Sequence, residues 1–195
     1  MLKATAVCFN SNQADYWSEL EKMAILHRKK GSPPASSQPK PVSLHDQLVL
    51  RAERWLISQG CGFAIRAPFK SWVSEQPDAI GWRESVSLLV EVKVSRSDFL
   101  ADNKKATRAE PGTGMGNWRF YFCPPQLILI DEVPEGWGLI WASPNKVIQT
   151  FGVPSNTNWF KFPFVANESA EKIFLASALR RYAKNGRLAE IYAVN

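Results

Sequence analysis

"SEQPDAIGWRESVSLLVEVKVSRSDF", Ser74 to Phe99, is the stretch on which the fold turns. "QPDAIGW" and "SVSLLVEVKVS" have the β-branched and aromatic content of strands, and "RES" between them has the composition of a turn. Side chains alternate along a strand, so Leu88, Val90, Val92 and Val94 share one face and Leu89, Glu91 and Lys93 the other. An acid and a base inside an apolar strand must be solvated or matched, because an unpartnered charge there costs several kcal/mol.

With Glu84 and Ser85 as a two-residue hairpin turn, Asp78 falls opposite Glu91. Opposed residues face the same way with Cβ atoms roughly 5 Å apart. Two carboxylates that close repel unless a cation lies between them. Lys93 follows one step along the same face. Two carboxylates and a strand carbonyl are hard oxygen donors of the kind Mg²⁺ takes, with waters and phosphate completing its shell. Such an ion lowers the pKa of a bound water and stabilises charge on a scissile phosphate. Lys93 would orient that water or neutralise the developing charge. The plainer reading is an ion pair between Glu91 and Lys93 within the sheet, with Asp78 serving turn chemistry after Pro77. The residues alone leave both open.

Around this hairpin the elements are readable. "SLHDQLVLRAERWLISQG" begins at a Ser cap, ends at Gly60, and sets Leu44, Leu48, Ala52, Trp55 and Leu56 on one helical face. "CGFAIRAPF" reads as a strand. "SRSDFLADNKKATR" reads as a helix, with Ser95 and Asp98 spaced as a capping box. After the loop "EPGTGMGN" come two buried strands, "WRFYFCP" and "GWGLIWAS", and a last helix, "SAEKIFLASALRRYAKNG", stopped at Gly186. Helix, three strands, helix, two strands, helix is an α/β order with a mixed sheet. "GTGMG" follows a helix rather than a strand, so a phosphate-binding loop is a poor reading of it.

"KKGSPPASSQPKPVS" (Lys29 to Ser43) cannot bury apolar surface and divides the chain. The expected organisation is an N-terminal helical segment over 1–30, a Pro/Ser-rich linker over 31–43 and one domain over 44–195. The N-terminal helix could recruit a protein partner. A net charge of +6 in 195 residues favours an anionic partner, nucleic acid first. Cys8, Cys61 and Cys123 form no CxxC pair, which points to a reducing cytoplasm rather than a disulfide or zinc framework. No apolar run approaches the roughly 20 residues of a membrane span, so no membrane role is expected.

Pro77-Asp78 followed across a hairpin by Glu91-Val92-Lys93 resembles the PD-(D/E)xK nuclease signature, with helices before and after as that superfamily arranges them. The longer string "VEVKVSRSDFLADNKK" resembles the MmcB-like DNA-repair group and related phage nucleases, which follow the ExK strand with a Ser, an Asp-Phe and an Asp-x-Lys. The resemblance covers roughly Ser43 to Ser143. It implies a restriction-endonuclease-like core, a mixed sheet flanked by helices, and Mg²⁺-dependent hydrolysis of DNA, with Mn²⁺ able to substitute. Asp78, Glu91 and the Val92 carbonyl would hold the metal, and Lys93 would be the catalytic lysine. An endonuclease is expected rather than an exonuclease, and a homodimer would suit cutting of both strands.

In several branches the first helix donates one more acid. Here His45 and Glu53 are the accessory candidates, His45 nearer the buried side and Glu53 off the apolar face. Ser95, Arg96, Lys104, Lys105, Arg108 and Arg119 form the candidate nucleic-acid contact set. Asp102 is spaced to pair with Lys105 or Arg108. The alternative is a catalytically silent nucleic-acid-binding or regulatory protein that keeps the nuclease fold.

Overall fold

The structure, a computed structural model, describes residues 42–102 and 104–193. The expected N-terminal helix, most of the linker and Cys8 lie outside these residues. Helix α1 (Leu44–Ser58) starts where Ser43 Oγ accepts the Asp46 N–H at 3.1 Å, filling a first-turn donor that the helix itself cannot satisfy. Leu48, Val49, Ala52, Trp55 and Leu56 form its buried stripe.

Strands β1 (Phe63–Arg66), β2 (Ala79–Arg83), β3 (Val86–Val92), β4 (Trp118–Cys123), β5 (Trp137–Ser143) and β6 (Lys146–Phe151) make one six-stranded sheet in sequence order. The β3–β4 and β4–β5 pairs are parallel and the other three antiparallel. The fold is therefore α/β with a mixed sheet flanked by helices. On one face, Leu88, Val90, Val92, Phe120, Phe122 and Ile140 pack with the α1 stripe. On the other, Leu89, Tyr121 and Leu139 pack with Phe99 of α2 (Arg96–Asp102) and Phe174 of α4 (Glu168–Lys184).

Two elements differ from the sequence reading. β6 was not anticipated: it is an edge strand joined to β5 through Pro144 and Asn145, and most of its side chains stay exposed. With little to bury, it carries no apolar alternation. The helix expected across Ser95–Arg108 is instead broken into α2 and a short α3 (Ala106–Ala109), with Lys105 in extended backbone between them. In an unbroken helix Arg108, six residues after Asp102 at about 100° each, would point to a different side. The break lets Lys105 and Arg108 both turn back onto Asp102.

A parallel β3–β4 pair needs a long crossover, and residues 93–117 supply it. Its last turn requires Gly116, at φ +85°, where an added Cβ would lie 2.6 Å from Leu89 Cβ. The Gly116 N–H donates to buried Glu171 at 2.9 Å, tying this loop to α4.

Candidate active site beside the β2–β3 hairpin

The hairpin register runs from Arg83↔Val86 to Ala79↔Val90, with Glu84 at φ 55° in the two-residue turn. Carried one residue on, it sets Asp78 level with Glu91. Asp78 Oδ2 accepts the Val92 N–H at 2.8 Å, and Asp78 Oδ1 lies 3.2 Å from His45 Nε2. His45, at the start of α1, thus faces Asp78, and its pKa is raised chiefly by the hydrogen bond to that residue. Glu53 does not join them: it is held by Arg66 of β1 at 2.8 Å.

Glu91 and Lys93 lie on the α2 side of the sheet, both nearly inaccessible. Lys93 Nζ stands 3.2 Å from Glu91 Oε2 and 3.0 Å from Asp102 Oδ1, with half-buried Asp98 farther off at 3.9 Å. Lys105 Nζ reaches the same two carboxylates at 2.8 Å each. Arg108 donates to Asp102 at 2.7 Å, approaches Glu75 at 3.3 Å and Glu91 Oε1 at 3.4 Å, and lies over the Trp137 ring. Tyr121, level with Glu91 on β4, donates its hydroxyl to Asp102 at 2.8 Å. Glu75 accepts the Met115 N–H at 2.6 Å, which anchors the loop over the cluster.

Burial pushes the Glu91 carboxyl above its usual range, against the pull of Lys93, Lys105 and Arg108. Asp102 goes the other way. Burial alone would raise it too, but hydrogen bonds from Arg108 and Lys105 hold it well below the carboxylate range. Tyr121 is pushed upward by burial and by the Asp102 charge, so its proton stays on oxygen. Asp102 is the hub of this network. The sequence reading gave it only a pairing role and left Tyr121 and Glu75 out.

The candidate contact set shrinks. Arg119 is withdrawn from it: its side chain is fully buried and donates to the carbonyls of Pro111, Gly114 and Gly116, bracing the Gly-rich loop. Arg108 is withdrawn as well, since its side chain is 6 % exposed and spent on acids. Arg96 is held by both oxygens of Glu132, and Ser95 Oγ caps α2 by accepting the Asp98 N–H. Lys104 and Lys105 remain as exposed cations. Lys105 also lines a cleft of about 350 Å³ with Ser74, Glu75, Gln76, Ala106 and Thr107. A second cavity of about 280 Å³, among Arg51, Arg54, Trp55, Ser58 and Val147, is on the α1 side, away from the acids.

The donors suit Mg²⁺ in kind. Asp78, just before β2, and Glu91 of β3 are hard carboxylates, and Glu91 Oε1 is buried without a hydrogen bond. Among the described residues no three His, Cys, Asp or Glu side chains are gathered to hold a metal, so waters and phosphate would have to complete the shell. The cations closest to Glu91 are Lys105 and Lys93.

No family model matches the chain, and no curated protein matches it. Among solved structures, a protein of unknown function from Silicibacter pomeroyi is similar, with a TM-score of 0.51 and 17 % sequence identity over 76 % of this chain and 94 % of that one. The likeness is one of fold. Among the described residues no helix is long and apolar enough to cross a membrane.

Proposed function

We propose that the chain is a Mg²⁺-dependent DNA nuclease with a restriction-endonuclease-like core of the PD-(D/E)xK kind, working in DNA repair, recombination or phage DNA processing. The observation that carries this reading is the hairpin register: it sets Asp78 level with Glu91, with Lys93 just past the end of β3 and with Lys105, which lines an open cleft, reaching Glu91. Asp78, Glu91 and the Val92 carbonyl would hold Mg²⁺ or Mn²⁺. When bound, the ion supplies an activated water and neutralises charge on the phosphate.

The chain's own groups have distinct tasks. The Val92 N–H fixes the Asp78 carboxylate through Oδ2 and leaves Oδ1 to His45. Asp102 holds the Lys93 ammonium level with Glu91, so that it can meet the developing negative charge without rearranging. Tyr121 and Arg108 fix Asp102 in turn. Exposed Lys104 and Lys105 offer cations to the DNA backbone.

One observation favours the second reading, a silent nucleic-acid-binding protein with the same fold. Glu91, Lys93 and Asp102 are already matched to one another and to Lys105 and Arg108. Incubation with linear, nicked, single-stranded and branched DNA in Mg²⁺, Mn²⁺ or EDTA, beside Lys93→Ala, separates the two. Metal-dependent cutting lost in the variant supports the nuclease. Binding without cutting, unchanged in Lys93→Ala, supports the silent protein.

A further inference from the structure

We propose that Lys105 is a built-in placeholder for the divalent cation, seated on Glu91 until the metal displaces it into the adjoining cleft. This rests on the nuclease reading and adds a control to the same site. Glu75, Glu91 and Asp102 pair with Lys93, Lys105 and Arg108, and Asp98 stands 3.9 Å from Lys93. A divalent ion taking Glu91 Oε2 would stand against the two ammonium groups already on that oxygen, Lys105 at 2.8 Å and Lys93 at 3.2 Å, and like charges that close repel. One resident cation must leave.

The geometry selects which. The Lys93 and Arg108 side chains are 4 % and 6 % exposed, whereas Lys105 is 44 % exposed. Lys105 also follows directly on the break between α2 and α3 and lines the cleft with Ser74, Gln76 and Thr107. Its Nζ is 2.8 Å from Glu91 Oε2, about the distance at which a cation competes for that oxygen. The buried Glu91 Oε1 takes no hydrogen bond, with the Arg108 guanidinium at 3.4 Å, and is a second donor on the same carboxylate. Swung outward, the ammonium would meet a phosphate bound in the cleft, so metal and nucleic acid would help each other bind.

Calorimetric titration of the chain with Mn²⁺ alone, comparing wild type with Lys105→Met, tests this. The variant should bind Mn²⁺ at least about tenfold more tightly, a coupling of ordinary size. Lys105→Gln keeps donors for Glu91 and Asp102 without the charge and should behave likewise, should the methionine variant fold poorly. A phosphorothioate oligonucleotide, checked to be intact after the titration, should tighten Mn²⁺ binding to wild type and change it little in either variant. Equal Mn²⁺ affinity in all three proteins would overturn the placeholder and leave the nuclease reading standing. No Mn²⁺ binding by any of them, all folded by circular dichroism, would overturn both.

Discussion

The two faces of β3 answer to different physics. Leu88, Val90 and Val92 meet α1 in an apolar layer where any side chain of the right volume would serve. Leu89 begins the other face as core, but Glu91 and then Lys93 turn its far end into a closed network of charges. The first face holds the sheet together. The second is fixed by pairing: each member is tolerated only because its partners are in place, so removing one exposes the rest.

That contrast is sharpest at the hub. Asp102→Ala should cost about 3–5 kcal/mol in urea unfolding, because it strands buried cations and the Tyr121 hydroxyl together. Leu88→Ala on the apolar face should cost about 2–5 kcal/mol, set by how far the core can collapse around the gap. A loss at Asp102 no larger than at an exposed ion pair such as Arg96–Glu132 would dissolve the comparison.

Acid should separate the faces again. The folded pKa of Asp102 lies below its unfolded value, so its contribution is full above the ordinary carboxylate range and fades as pH falls toward the folded value. The stability difference between wild type and Asp102→Asn should therefore narrow as pH is lowered below about 4. For Leu88→Ala the difference from wild type should stay level over that range.

The smallest effect is expected at His45. Its folded pKa is raised, so the His45–Asp78 contribution is full below pH 6.5 and is lost as pH rises through the folded value. The pair is partly exposed and screened, so His45→Gln should change stability by about 1 kcal/mol or less, and only on the acid side. A larger effect at alkaline than at acid pH would contradict this assignment.

How much of this was legible in the chain follows from which forces are local. The hairpin register could be read because a two-residue turn and strict alternation fix it, and the α1 stripe because its period is 3.6. The broken helix could not, since the partners that hold Arg108 after the break, Glu75 and Glu91, come from outside the helix. Arg119, after Trp118 and next to the Gly-rich loop, reads as one of the candidate nucleic-acid contacts. Alternation along "WRFYFC" does carry the missed signal: Arg119 and Tyr121 share one face, opposite Phe120 and Phe122, and therefore lie on the Glu91 side. Glu75 gave no sign, because its partner Arg108 comes from the far end of a crossover.

Glu91→Gln tests the account most directly. The amide keeps the size of the side chain and an oxygen that accepts from Lys93 and Lys105, so the fold should persist by circular dichroism. If the hairpin acids serve chemistry, Mn²⁺-dependent DNA cutting seen in wild type should be lost in the folded variant. A variant that cuts DNA at the wild-type rate would show that Glu91 only balances the charges around it.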